Sequence, residues 1–134
     1  VDTAETAQNQ HDFDIGSPED PRLAELRAWV RDLLADLDPD VVADAELVVT
    51  ELAANACEHA RGPRSLRLIR RGDEPVVDVE VDDASPDALP QPGLSTLGEF
   101  RGRGLLMVET MSTSWGVRQH SDRKTVWARL PTLP

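Results

Sequence analysis

Apolar residues recur at intervals of three and four through Leu23, Leu26, Trp29, Val30, Leu33, Leu34 and Leu37. That spacing predicts an amphipathic helix of about four turns, with Asp20 as its cap and Pro21 in its first turn. Asp38-Pro39-Asp40 then ends this helix and starts a second, placing acids at the favourable end of its dipole. The second helix, reaching Ala60, is the one the chain is organised around. Val41, Val42, Ala45, Val49, Leu52, Ala53 and Ala56 share one broad face, and Asp44, Glu51, Asn55 and Glu58 share a narrow polar arc beside it. Ahead of both helices, His11-Asp-Phe13-Asp-Ile15 alternates like a short, half-buried strand. Beyond the break at Arg61-Gly-Pro63, Ser65 to Arg71 and Val76 to Asp82 flank Gly72-Asp-Glu-Pro75 as a β-hairpin, with Val77, Val79 and Val81 on the buried side. Leu105 to Met111 reads as a short apolar helix. Trp115 to Gln119 and Thr125 to Leu130 read as closing strands, after which Pro131 limits further pairing. Trp29 and Trp127 are expected in the core.

Residues 84–104 carry no such period and are rich in Pro and Gly, with few large apolar anchors. A loop of that length inside a compact domain suggests a mobile lid. Residues 1–10 are polar and are expected to be disordered, leaving 11–134 as one domain. Composition is that of an ordinary soluble domain, 29% charged and 40% hydrophobic. No apolar run approaches a membrane span and no signal-peptide pattern opens the chain, so the expected location is cytoplasmic, without a membrane partner. A net charge of −11 argues against direct binding to nucleic acid. The charge is uneven, however: residues 61–71 hold five Arg and no acid, so a small anionic ligand can still find a positive site. Cys57 has no partner for an internal disulfide, and His11, His59 and His120 are too scattered for a zinc site. His59 reads as a helix-terminal residue that satisfies carbonyls.

The polar arc holds only carboxylates and an amide, whereas a solvated helix face usually mixes both signs. Glu51 and Asn55, one turn apart, suit a hard cation and a polyanion that needs a proton acceptor nearby. On the helix alone, an acidic solvent face is the commoner explanation. Asp83 stands where the hairpin's alternation ends, a place where Asp is often just a turn residue. Gly102-Arg103-Gly104 directly precedes Leu105, and glycines opening a helix let backbone N–H groups approach phosphate oxygens. No Gly-x-x-x-x-Gly-Lys-Ser/Thr occurs, and Lys124 is the only lysine. A dinucleotide fingerprint and a Gly-x-Ser-x-Gly elbow are absent as well.

The order of these features resembles the ATP-binding domain shared by gyrase, Hsp90, histidine kinases and MutL, and more closely the anti-sigma-factor serine kinases. Four boxes carry the likeness, over roughly residues 11–130. They are Glu51-Leu-x-x-Asn55-Ala-x-x-His59-Ala, Asp83-x-Ser85-Pro86, Gly102-Arg-Gly104-Leu-Leu and Lys124-Thr125-Val-Trp. The resemblance implies a two-layer α/β sandwich, a mixed and largely antiparallel sheet with helices on one face. It implies that Asn55 holds Mg²⁺ bridging the ATP phosphates, that Glu51 activates the attacking serine hydroxyl, and that Asp83 receives the adenine amino group. Ser85, Gly102, Gly104, Leu105 and Thr125 complete the implied nucleotide set, and Arg101 or Arg103 either adds charge at the γ-phosphate or is plain lid surface. The implied function is an ATP-dependent protein serine kinase that phosphorylates a STAS-domain antagonist and sequesters a sigma factor, with a homodimer expected by likeness. Three departures stand out: Ser85 and Arg123 where glycines are usual, and no second glycine after Leu105-Leu106. Ser85 and Arg123 favour the alternative, a non-catalytic ATP-binding or partner-binding module of the same fold, and Glu51 with Asn55 opposes it.

Overall fold

The computed structural model describes residues 8–17, 19–59, 64–86 and 99–133, with Gln8, His59 and residues 99–104 described in the backbone only. Along the chain come β1 (Gln8–Asp14), β2 (Gly16–Ser17), β3 (Asp20–Pro21), α1 (Leu23–Leu33), α2 (Pro39–His59), β4 (Ser65–Arg71) and β5 (Val76–Asp83). After them come α3 (Glu99–Met111), β6 (Ser114–Gln119) and β7 (Lys124–Pro131). Five strands form one sheet in the order β1-β4-β5-β7-β6, and each of its pairings is antiparallel.

Strand alternation sorts the sheet into two unlike faces. Leu66 and Leu68, then Val77, Val79 and Val81, then Val126, Ala128 and Leu130 lie buried on one side. They share a core with Leu26 and Val30 of α1, Val48, Val49, Leu52, Ala53 and Ala56 of α2, and Leu105 and Val108 of α3. This is the two-layer sandwich, with the helices on one face. The opposite face is a lattice of charge. Arg67 bridges Glu80 and Asp82, Arg118 reaches Glu80 at 2.7 Å, and Arg71 and Arg129 both hold Asp78 at 2.8 Å. Burial works against the charged form of Asp78, but hydrogen bonds from Arg129 and Arg71 together outweigh it and hold the carboxyl below the usual range. Asp82 is lowered in the same way, burial being outweighed by Arg67 and Thr125.

Several boundaries differ from the sequence expectation. β1 begins at Gln8, so residues 8–10 are not disordered: they pair with Arg71, Arg70 and Ile69, a tertiary ladder that no local pattern announces. Residues 1–7 lie outside the described residues. Asp20 and Pro21 do not open α1; they pair with Ser17 and Gly16. Ser17 Oγ accepts the Asp20 N–H at 3.2 Å, and Arg22 precedes the helix, its guanidinium bonded to Glu25 at 2.8 Å. α1 stops at Leu33 and the chain turns through Leu34 to Leu37, which still packs on the core. α3 begins at Glu99, so Gly102 and Gly104 lie within the helix and not ahead of it, and residues 99–104 of the expected lid are helical. Residues 87–98 of that lid lie outside the described residues. Trp29 is half-buried against Phe13, with ring centroids 5.2 Å apart. Trp127 is not a core residue. It shares the outer face with Thr125 and Arg129, and its ring lies over Gly116, where a Cβ would stand 3.0 Å from it.

Candidate nucleotide site

The platform is α2. Asp38 precedes it and accepts the Asp40 N–H at 2.8 Å, with Pro39 in the first helical position, where its missing N–H costs nothing. Ala45, Val48, Val49, Leu52, Ala53 and Ala56 press the helix onto the sheet, and its packing runs across β5 and β7. Asn55 follows from that seating. Flanked by the buried Ala54 and Ala56, it is only 8% exposed, while Glu51 one turn earlier is half-buried. Asp44 and Glu58, the other members of the arc, are exposed. The arc is therefore split, and its two inner members are the pair singled out for chemistry. A buried amide beside a half-buried carboxylate is a poor solvent face and a good place for a polar ligand.

Arg64 fixes the far end of this helix and was not anticipated. It is 7% exposed, its Nε donates to the Ala56 carbonyl at 3.0 Å, and its own carbonyl accepts the Ile15 N–H. A guanidinium on a late helical carbonyl satisfies an orphan acceptor and complements the dipole. It ties the residue next to Asn55 to the strand layer. The signal in the sequence was the run of Arg after the helix break.

Asp83 ends β5 two positions after Val81, on the helix-facing side of the sheet, and is 2% exposed. Its Oδ1 accepts the Ser85 N–H at 2.8 Å, so it makes the strand-end turn that Asp commonly makes. It does more than that. Lys124, its register partner on β7, places Nζ 2.9 Å from both carboxylate oxygens, with hydrogen-bond angles only toward Oδ1, and also donates to the Ser85 carbonyl at 3.0 Å. Thr125 is turned the other way. Its hydroxyl donates to Asp82 on the outer face and lies 3.3 Å from His120 Nε2. The structure thus brings Lys124, and not Thr125, to Asp83. The period of two along β7 carried that information, since 124 shares parity with Val126, Ala128 and Leu130.

Of the remaining expected residues, Leu105 is buried in the core. Arg101, Gly102, Arg103 and Gly104 belong to the opening turns of α3, their side chains outside the described residues, as is that of His59. Cys57 is half-buried on α2 against the core, consistent with a small helix-face residue. Among the described residues no group of three or more His, Cys, Asp or Glu is placed to hold a metal, and no helix is long and apolar enough to cross a membrane.

Comparison with known proteins agrees with this fold. The chain is similar in fold to the RsbU and RsbW domains of Rv1364c from Mycobacterium tuberculosis, with a TM-score of 0.63 and 20% identity over 94% of this chain and 32% of that one. It is similar to the Erythrobacter litoralis EL346 blue-light activated histidine kinase, with a TM-score of 0.56 and 18% identity over 82% of this chain and 40% of that one. Against that protein's histidine kinase domain the TM-score is 0.52 at 17% identity, over 82% of this chain and 59% of the other. In each case the chain spans less than two thirds of the structure it matches. A search of curated proteins finds no match. The family profile described as the histidine kinase-like ATPase domain matches residues 17–130, and with most of the sequence accounted for, including all three helices, the chain belongs to that family.

Proposed function

We propose that this domain is an ATP-dependent protein serine kinase of the anti-sigma-factor type, which phosphorylates a STAS-domain antagonist and sequesters a sigma factor. The observation that carries the reading is the pairing of buried Asn55 with half-buried Glu51 on the sheet-packed helix of an ATPase-family domain. The four-box resemblance and the fold likeness to a structure containing an RsbW domain support it.

In this reading Glu51 takes the proton of the antagonist's serine hydroxyl as that oxygen bonds to the γ-phosphorus and the bond to the ADP oxygen breaks. A buried, neutral amide oxygen fits a cation bound mainly through phosphates and water, so Asn55 would hold Mg²⁺. When bound, that ion neutralises charge on the phosphoryl oxygens. Asp83 accepts from the adenine amino group, and residues 101–104, in the opening turns of α3, contact the phosphates. We assign the protein to the cytoplasm and expect a homodimer.

Phosphotransfer from labelled ATP to a cognate antagonist tests the reading. Glu51→Gln is expected to lower the rate by about 100-fold or more while retaining ATP binding. An unchanged rate would refute the catalytic role of Glu51. One observation favours a second reading, a non-catalytic module: Asp83 is already ion-paired with Lys124. In that case wild-type protein binds its partner but transfers no phosphate.

A further inference from the structure

Lys124 is the chain's only lysine, and its side chain is 2% exposed. Burying an ammonium beside a carboxylate costs desolvation of both ions, and the mutual attraction often does no more than offset it. Structure alone is a weak reason for this residue. Its hydrogen bonds, moreover, are incomplete. An ammonium has three N–H donors, and among the described residues two are used, on Asp83 Oδ1 at 2.9 Å and on the Ser85 carbonyl at 3.0 Å. Asp83 has a matching surplus. Oδ1 accepts from both Lys124 and the Ser85 N–H, whereas the buried Oδ2 accepts no hydrogen bond among the described residues. Among the described residues one Lys124 N–H and Asp83 Oδ2 thus make no hydrogen bond, although the two charged groups stand 2.9 Å apart, in an enclosed place at the adjoining ends of β5 and β7. Orphaned buried polar groups are uncommon and call for a partner, which a water, an ion or a ligand supplies.

We infer that Lys124 and Asp83 together read the base of the bound nucleotide. The N6 amino group of adenine donates to Asp83 Oδ2, and N1 on the same edge accepts the third N–H of Lys124. The inference rests on the nucleotide-binding reading above and deepens it: the four-box resemblance places a polar contact at Thr125, which faces the other side of the sheet. The ion pair leaves the base site close to neutral, as an uncharged base requires. Its order of acceptor and donor also disfavours guanine, which presents the acceptor O6 where adenine presents the donor N6.

The test titrates Mg·ATP, Mg·GTP and Mg·1-deaza-ATP, which has C–H in place of N1, into the wild-type chain and into Lys124→Met, with thermal melts confirming that both fold. Wild type is expected to prefer ATP over 1-deaza-ATP by roughly tenfold or more, as for a hydrogen bond from a charged donor. In Lys124→Met the two are expected to bind within about twofold of each other. Equal wild-type affinities, a preference that persists in the variant, tighter ATP binding by the variant, or GTP bound more tightly than ATP each overturn the inference. A second measurement needs no variant. With one lysine, protein labelled at lysine Nζ gives a single resonance, which is expected to move on saturation with Mg·ATP and to reach a different position with 1-deaza-ATP. An Nζ signal unmoved by saturating ATP overturns the inference while leaving ATP binding intact. Failure of folded wild-type protein to bind Mg·ATP at all overturns the nucleotide reading itself, and the two failures are thereby told apart.

Discussion

Asp78→Asn tests whether the two faces of the sheet have separate duties. In the wild-type chain the Asp78 side chain is 9% exposed and accepts from Arg71 Nε at 2.8 Å and from Arg129 Nε and Nη2 at 2.8 and 3.0 Å. Asparagine keeps one acceptor oxygen and turns an NH₂ donor toward guanidinium donors. Breaking a buried ion pair costs about 3–5 kcal/mol. Arg71 and Arg129 retain 23% and 35% of their side-chain exposure, however, and water takes up part of the loss. The net destabilisation is therefore expected at about 2–3 kcal/mol, a fall of about 1–2 M in the urea midpoint. Its pH dependence has a fixed sign. The folded-state pKa of Asp78 lies below its ordinary value of 3.8, so the wild-type advantage is fully present above that value and is lost as pH falls through the folded one. Urea titrations at about pH 7 and below about pH 4 should show a gap between the two proteins that is constant near neutrality and closes in acid. A neutral-pH gap under about 0.5 kcal/mol, or one that widens in acid, would refute the argument. Because Asp78 faces away from α2, Mg·ATP affinity should stay within about twofold of wild type.

Other expectations follow from single contacts. Gly16 has φ +94°, and a Cβ there would stand 2.8 Å from the Asp20 carbonyl oxygen, so Gly16→Ala should cost about 1–3 kcal/mol in urea unfolding, and a neutral result would mean the β2–β3 turn rearranges freely. Leu52, 2% exposed between α2 and the sheet, should cost about 2–5 kcal/mol as Ala, measured by the same titration. Asp38→Ala removes the acceptor for the Asp40 N–H and should cost about 1 kcal/mol, with the loss read as a lower melting temperature.

Much of this architecture was legible because the core is built on periods. Val77, Val79 and Val81 alternate cleanly, and Leu52, Ala53 and Ala56 define a helical face, so hairpin and central helix could be read before any coordinate, while the sandwich was implied by the family resemblance. What escaped was set by contacts distant in sequence. Gln8 to Gln10 have no apolar member and become strand only because β4 offers an edge. Asp20 and Pro21 look like a helix start, yet Gly16 and Ser17 recruit them into a ladder. Trp127 is expected in the core as an aromatic residue, although its parity with Arg129 and Thr125 puts it outside. The same parity would have exposed Lys124 as the residue opposite Asp83. The motif directs attention to Thr125 beside it, which the alternation turns to the outer face of the sheet. Glu51 and Asn55 were the opposite case: helical spacing placed them on one arc, and burial then separated them from Asp44 and Glu58.

The central claim is that the Asn55 side of α2 holds a magnesium nucleotide. A calorimetric titration of Mg·ATP into the wild-type chain and into Asn55→Ala tests it most directly. The account predicts saturable binding that requires Mg²⁺ in wild type and falls by about tenfold or more in the variant. Wild-type protein that is folded yet silent toward Mg·ATP, or an Asn55→Ala variant that binds it equally well, would contradict the account.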